Sequence, residues 1–137
     1  MIIADTGFWV AIFDDADTYH LHALEVAGNL QEALIITTPV ITEVCYLLQN
    51  RRGQRVATGF LRGHRRGAFR LFEMSESHLA RCEELMSKYA DLPMDFADAS
   101  LVVLAEHLGH GRIVSTDKRD FGVYRWKNRK PFENLLQ

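Results

Sequence analysis

Short apolar runs alternate along this chain with longer segments in which apolar positions recur at helical spacing. The apolar runs predict buried strands at 1–4, 34–37, 69–72, 113–115 and 132–135. Residues 6–11 continue from the first strand into a helix or turn. The amphipathic segments predict helices over 18–30, 38–50, 53–66, 75–89 and 96–108. Strands that alternate with helices indicate a parallel sheet covered by helices on both faces.

Local sequence signals predict where several of these helices begin and end. Thr38 followed by Pro39 predicts a helix start, because a hydroxyl can cap the first N–H groups and proline fits the first turn. Ser75 or Ser77 is expected to cap the helix over 75–89 in the same way. Gly109 or Gly111 is expected to end the last long helix.

Composition is typical of one soluble globular domain spanning residues 1–137. Hydrophobic residues make up 47% of the chain and charged residues 25%, so a buried core and a polar surface are both expected. No apolar stretch approaches the roughly 20 residues that cross a bilayer, and no membrane partner is expected. No signal peptide is visible, and Cys45 and Cys82 lie in helical patterns as buried free thiols. We therefore expect a cytoplasmic protein.

Basic residues are unevenly distributed, although the net charge is only −2. Segments 51–70 and 112–130 hold seven Lys or Arg residues each, out of 16 in the chain. They are either solvated surface with a basic tail or a surface that follows a nucleic-acid backbone. The candidate RNA contacts are Arg62, Arg65, Arg66, Lys118 and Arg119.

Four carboxylates lie where the predicted topology would bring them together. Asp5 and Asp117 end predicted strands, Glu43 lies one turn into a helix, and Asp98 lies near the start of another. In parallel sheets, ligands bind beyond the carboxyl ends of the strands. Clustered carboxylates repel one another, and a hard divalent cation relieves that repulsion. The pattern predicts a metal-dependent enzyme that acts on phosphates.

Each of these carboxylates also has a structural interpretation. Asp5 is of a type common at strand-to-helix boundaries, where it caps the helix. Asp98 lies three residues after Asp95, so Asp95 can cap the helix while Asp98 stabilises its first turn or faces the site. Glu43 lies at the edge of an apolar stripe, where a carboxylate is costly unless something compensates it. Function is favoured most clearly at Glu43.

Two further groups of acids are interpreted differently. Asp117 is preferred to Asp120 as the inner ligand because it is nearer the strand end, and Asp120 is a possible substitute. Asp14, Asp15 and Asp17 form an acidic turn that is expected to be solvated. The chain contains no HExxH zinc motif, nucleophile elbow or Gly-rich phosphate loop, so oxygen-ligated metal chemistry remains.

The chain resembles PIN domains, specifically the small VapC-type toxin ribonucleases. Four short motifs carry the resemblance, which spans nearly the whole chain: Ile3-Ala4-Asp5-Thr6, Pro39-Val40-Ile41-Thr42-Glu43, Asp98-Ala99 and Thr116-Asp117-Lys118-Arg119-Asp120-Phe121. The resemblance implies a three-layer α/β/α sandwich with a central parallel sheet of four to five short strands. It also implies Mg²⁺ or Mn²⁺ in an acidic pocket, hydrolysis of RNA phosphodiester bonds, and inhibition by a small cognate antitoxin. A homodimer is expected as well.

Residue roles follow from the matching positions. The resemblance implies that the acidic set is Asp5, Glu43, Asp98 and Asp117. Thr6, Thr116, Asp95 and Asp120 are possible secondary residues. One or two cations held by three of the acids would polarise the scissile phosphate and lower the pKa of bound water, with Asp5, Asp98 and Asp117 as the ligands. Glu43 would ligate a second ion or orient the attacking water.

Other interpretations remain open at the level of the sequence. A PIN nuclease that processes RNA without an antitoxin would carry the same acids. A receiver-like module or a non-catalytic RNA-binding domain is a different class of candidate, but the first lacks a well-placed acidic pair and the second should have lost an acid. A haloacid-dehalogenase-like phosphatase needs a second Asp where this chain has Gly7.

Overall fold

The computed structural model describes residues 1–137 and contains seven short strands. They are β1 (Ile2–Ala4), β2 (Leu34–Thr37), β3 (Arg70–Phe72), β4 (Arg112–Val114), β5 (Arg125–Trp126), β6 (Lys130–Pro131) and β7 (Glu133–Asn134). Five of them form one parallel sheet in the order β3-β2-β1-β4-β7, while β5 and β6 form a separate antiparallel pair. Helices flank this sheet, which confirms the predicted fold class.

Seven α-helices connect the strands. They are α1 (Thr6–Phe13), α2 (His20–Asn29), α3 (Thr38–Arg52), α4 (Gln54–Arg62), α5 (Ser77–Lys88), α6 (Phe96–Leu108) and α7 (Lys118–Val123). The segment predicted as one helix over 53–66 divides into α4 and a 3₁₀ helix, Gly63–Arg66. The sequence did not predict α7 or the β5–β6 hairpin, because elements of six and two residues are too short to show a period.

The observed helix ends agree only in part with the predicted caps. The cap of α3 is Thr37, whose side chain accepts a hydrogen bond from the third residue after it, while Thr38 is already helical. The prediction of a serine cap on α5 is wrong, since the hydroxyls of Ser75 and Ser77 bond to each other, 2.7 Å apart. Gly109 ends α6 with a left-handed φ of 78°, as predicted.

The core is centred on β1 and α6. Ile3 pairs with Ile35 of β2 on one side and with Ile113 of β4 on the other, and all three are at most 5% exposed. Eight of the 13 residues of α6 are buried, and Ser100 of this helix shares a 2.7 Å hydrogen bond with Thr37 at the end of β2. This packing holds the first turn of α6 against the carboxyl edge of the sheet.

The acidic turn after α1 is only partly solvated, which corrects the prediction. Asp15 is exposed, but Asp14 is buried and lies 3.7 Å from Arg51 and 3.9 Å from Arg52. The ends of α1 and α3 meet here, so the two arginines offset the charge of a carboxylate that the sequence places in a turn.

The two cysteines form no disulfide bond. Cys45 and Cys82 are free thiols, with Cys82 buried and Cys45 half-buried. None of the helices has both the length and the apolar character needed to cross a membrane.

Candidate active site

Four short connections place the predicted carboxylates at the carboxyl edge of the sheet. Asp5 separates β1 from α1, and Asp117 precedes α7 just after β4. Glu43 lies in the second turn of α3, which starts directly after β2, and Asp98 lies in the first turn of α6. Because β2, β1 and β4 are parallel neighbours, their carboxyl ends share one edge.

Asp5 is the most buried member of the set, at 6% exposure. One oxygen accepts a 2.7 Å hydrogen bond from the backbone of Thr6 and the other a 2.8 Å bond from the Ser115 hydroxyl. Burial, followed by the nearby charges of Asp117 and Asp95, raises the pKa of Asp5 to about 6 against the opposing effect of those hydrogen bonds. Asp5 is held rigidly and is costly to ionise.

Asp98 has the largest pKa change among the four acids. Burial, followed by the charges of Asp5 and Asp95, raises its pKa to about 8. The first turn of a helix normally favours a negative charge, so desolvation and like charges outweigh the helix dipole here. Its carboxyl accepts a 2.9 Å hydrogen bond from the Tyr124 hydroxyl. Asp95 caps α6 as predicted, accepting from the Asp98 N–H at 2.8 Å.

Glu43 faces the same site from α3. Its carboxyl accepts a 2.6 Å hydrogen bond from the Thr6 hydroxyl, so Thr6 orients one acid through its side chain and Asp5 through its backbone. Burial, followed by the adjacent Asp95 carboxyl, raises the pKa of Glu43 to about 7. Asp95 therefore belongs to the acidic cluster in addition to capping α6.

Asp117 and Asp120 differ in what they face. Asp117 accepts a 3.0 Å bond from the Asp120 N–H and caps α7, and its charge raises the pKa of both Asp5 and Asp98. Burial raises the pKa of Asp117 itself. Asp120 is buried and pairs with Arg119 at 3.0 Å. Of the two, Asp117 is the acid whose charge acts on Asp5 and Asp98.

The sequence analysis missed Ser115 as a polar helper. Its hydroxyl donates to Asp5 and accepts a 3.0 Å bond from the Asp117 N–H, so it links two of the acids. The amide of Asn134 on β7 brackets Ser115, accepting from its N–H at 3.1 Å and donating to its carbonyl at 2.9 Å. Ser115 was visible as a hydroxyl at a strand end, but no sequence signal connects it to Asn134.

Thr116, the predicted helper, makes no side-chain hydrogen bond and instead packs against Gly7 of α1. A Cβ added at Gly7 would lie 2.0 Å from the Thr116 Oγ1. We expect Gly7→Ala to destabilise the protein by about 1–3 kcal/mol through overpacking at the edge of the site. The measurement is urea unfolding of the purified variant.

Gly59→Ala is the matched control for Gly7→Ala. Gly59 lies inside α4, and a Cβ there would meet nothing within 4 Å. The control should gain about 0.5–1 kcal/mol from helix propensity. Equal stability of the two variants would show that Thr116 moves aside freely.

The five candidate RNA-contacting residues lie at two places. Lys118 and Arg119 are exposed at the start of α7, next to Asp117. Arg62, Arg65 and Arg66 are exposed in the segment that leads into the amino end of β3, so they lie toward the edge opposite the carboxylates. Only the first group flanks the acids directly.

The side chains at the acidic edge are oxygen ligands of the kind that a hard divalent cation binds. No group of three or more His, Cys, Asp or Glu side chains converges closely enough to enclose a metal ion in the present side-chain arrangement. All the candidate ligands are nevertheless carboxylates, the ligands that Mg²⁺ and Mn²⁺ prefer. Three of them have pKa values raised by burial and mutual repulsion, a cost that a bound cation would remove. The chemistry of the donor set therefore fits such an ion.

A groove of about 770 Å³ adjoins the cluster on the side of Glu43 and Asp95. Its walls include the exposed aromatic rings of Tyr46 and Phe96. The acidic edge is therefore open to a large substrate.

Fold and site together define an α/β protein with a carboxylate cluster at the carboxyl edge of a parallel sheet. Residues 2–127 match the model of the PIN domain, and the chain belongs to that family. It is 30% identical over 124 residues to Ribonuclease VapC26 of Mycobacterium tuberculosis, covering 90% of this chain and 92% of the relative.

A solved structure shows the same fold. The crystal structure of Mycobacterium tuberculosis VapC20, a Sarcin-Ricin loop cleaving toxin, superposes with a TM-score of 0.81 at 19% identity. The match covers 87% of this chain and 92% of that one.

Proposed function

We propose that this chain is an endoribonuclease that hydrolyses RNA phosphodiester bonds with Mg²⁺ or Mn²⁺ and acts as the toxin of a toxin–antitoxin pair. The observation that carries the proposal is the carboxylate cluster with raised pKa values at the edge of a PIN-family sheet. The similarity to a VapC ribonuclease over nearly the whole chain supports the RNA substrate. The fold shared with a VapC toxin supports the wider class.

Asp5, Asp98 and Asp117 would hold the metal ion, and Glu43 would orient the attacking water or ligate a second ion. A bound divalent cation supplies charge stabilisation at the phosphate and a lower pKa for water. Ser115 and Thr6 fix Asp5, and Thr6 also fixes Glu43. Hydrolysis at phosphorus by this set would leave a 3′-hydroxyl and a 5′-phosphate, without a catalytic histidine.

The test is cleavage of total RNA by the purified chain, with mapping of the RNA ends. Cleavage should require Mn²⁺ or Mg²⁺, stop in EDTA and leave 5′-phosphates. Cleavage that persists in EDTA would contradict the metal-dependent mechanism, and 2′,3′-cyclic ends would assign a different chemistry.

Partners follow from the toxin assignment. We propose a small cognate antitoxin that inhibits the acidic site, a homodimer as the working form, and the cytoplasm as the location. Co-expression with the product of a small neighbouring reading frame should restore growth to cells expressing the chain. A chain that is harmless without such a partner would favour RNA processing instead.

Arg62, Arg65 and Arg66 are proposed to bind the RNA backbone. Strands of three or four residues span only about 10–13 Å, so an RNA that reaches the acids can also reach the opposite edge. Replacing all three by Ala should lower the salt dependence of RNA binding by a slope of roughly 2 and leave kcat unchanged. Fluorescence anisotropy across a salt series measures this, with Lys88→Ala as the control. An unchanged slope would assign the arginines to a protein partner.

A further inference from the structure

Tyr124 is a buried tyrosine whose hydroxyl reaches the acidic site. It follows α7, is 0% exposed, and donates a 2.9 Å hydrogen bond to Oδ2 of Asp98. No other side chain donates to the Asp98 carboxyl. The orientation of this carboxyl therefore depends on one phenol.

The ring of Tyr124 is fixed by its neighbours. Tyr89 and Phe121 both pack edge-to-face against it, with ring centroids 5.1 Å away in each case. Its backbone N–H donates to the carbonyl of Asp120 at 2.9 Å. A side chain locked in this way holds its hydroxyl in one place, as a group that orients another side chain must.

The protonation state of the phenol also suits a donor. A tyrosine hydroxyl has an ordinary pKa of about 10, so it keeps its proton throughout the physiological range. A protonated phenol can donate to one carboxylate oxygen and leaves the second oxygen free.

We propose that Tyr124 is a positioning residue, which holds one oxygen of Asp98 so that the other faces the cation. This inference rests on the proposed function, because it assigns Asp98 to a metal ion. Groups that orient metal ligands commonly alter metal affinity or activity by about 10–100-fold when they are removed.

The chain contains a matched pair for testing this role. Tyr124→Phe removes the hydroxyl that touches Asp98 and keeps the ring. Tyr89→Phe removes the neighbouring phenol hydroxyl, which accepts from the Arg125 N–H at 3.0 Å and touches no carboxylate. The two variants therefore make the same chemical change to adjacent packed rings.

Calorimetric titration with Mn²⁺ and steady-state RNA cleavage are the measurements. Tyr124→Phe should weaken Mn²⁺ binding or lower kcat by about 10–100-fold while KM for RNA stays unchanged. Tyr89→Phe should keep wild-type values for both. Equal behaviour of the two variants would overturn the positioning role. A wild-type chain that binds no Mn²⁺ and cleaves no RNA would instead refute the proposed function, and this inference with it.

A double-mutant cycle tests the contact independently of activity. Urea unfolding in EDTA is measured for Tyr124→Phe, Asp98→Ala and the double variant, and again with Tyr89→Phe in place of Tyr124→Phe. Tyr124→Phe should shift the urea midpoint of unfolding when Asp98 is present. It should have no further effect in a protein that already carries Asp98→Ala. Additive shifts would show that the phenol does not act through Asp98 and would overturn the inference.

Discussion

Asp98→Asn and Asp5→Asn should each lower metal-dependent RNA cleavage by about 10²–10³-fold, the loss typical when one charged or polar group is removed from a reaction centre. Each amide keeps the size of the side chain but removes the charge that attracts the cation. Both acids lie at the carboxyl edge, where burial and neighbouring carboxylates raise their pKa values. Cleavage of total RNA in Mn²⁺, measured as kcat/KM, gives the effect.

Two comparisons make this result specific to the site. Asp15→Asn changes an exposed acid, with 71% of its side chain accessible, and should leave cleavage at the wild-type level. Asp117→Asn should reduce cleavage more than Asp120→Asn does, because Asp117 is the acid whose charge reaches Asp5 and Asp98. Active Asp5→Asn and Asp98→Asn variants would refute the nuclease mechanism.

Stability distinguishes a functional carboxylate from a structural one. Asp5→Asn and Asp98→Asn relieve like-charge repulsion, so the metal-free protein should be as stable as wild type or more so. Asp117 caps α7 through the Asp120 N–H, and its loss should cost about 1 kcal/mol. A loss of that size at Asp98 would mean that this acid mainly supports the fold.

The sequence predicts the central part of the fold well, because its elements are long or strongly apolar. The helix predicted over 96–108 is α6, and the strand predicted over 34–37 is β2. Short elements were missed, since the six residues of α7 show no period. Asp117, which caps α7, was visible as an acid at a strand end. Its role as a helix cap is evident only in the folded chain.

The acidic residues were predictable because a carboxylate at the end of a buried strand is costly to bury. Such a position therefore calls for a functional explanation. Their supporting groups were not predictable. Tyr124 and Asn134 are ordinary residues in the sequence, and they meet Asp98 and Ser115 only through contacts across 26 and 19 residues. The burial of Asp14 was not predictable for the same reason. Tertiary contact with two arginines buries this acid, which the turn alone would leave solvated.

The metal-free protein should lose stability as the pH rises from about 5 to 8. Folding raises the pKa of Asp5 to about 6, of Glu43 to about 7 and of Asp98 to about 8. Over this window the folded state binds more protons than the unfolded chain, whose acids ionise near pH 4, so the free energy of unfolding falls with pH. The stabilisation is complete below about pH 4 and is lost as the pH passes through the folded-state values.

The expected size is on the order of 2–3 kcal/mol from Asp5, which is buried, and less from the half-buried Glu43 and Asp98. His110 has the opposite effect. Burial lowers its pKa, so its contribution to the free energy of unfolding increases as the pH rises. Asp5→Asn and Asp98→Asn each lack the contribution of one acid. The contribution of His110 is common to wild type and variant, so it cancels when the two are compared. Urea unfolding in EDTA at several pH values measures the contribution of each acid, and each variant should show a shallower decline than wild type.

Millimolar Mn²⁺ should reverse this decline, raising the melting temperature more at pH 8 than at pH 5. Carboxylates must lose their protons to bind a cation, so the same ionisation that destabilises the metal-free protein prepares the site. A ligand present at 100 times its Kd adds about 2.7 kcal/mol to the folded state. Asp98→Asn should remove most of this stabilisation at both pH values. A Mn²⁺ effect that is equal at pH 5 and pH 8, or equal in wild type and Asp98→Asn, would place the cation elsewhere on the protein.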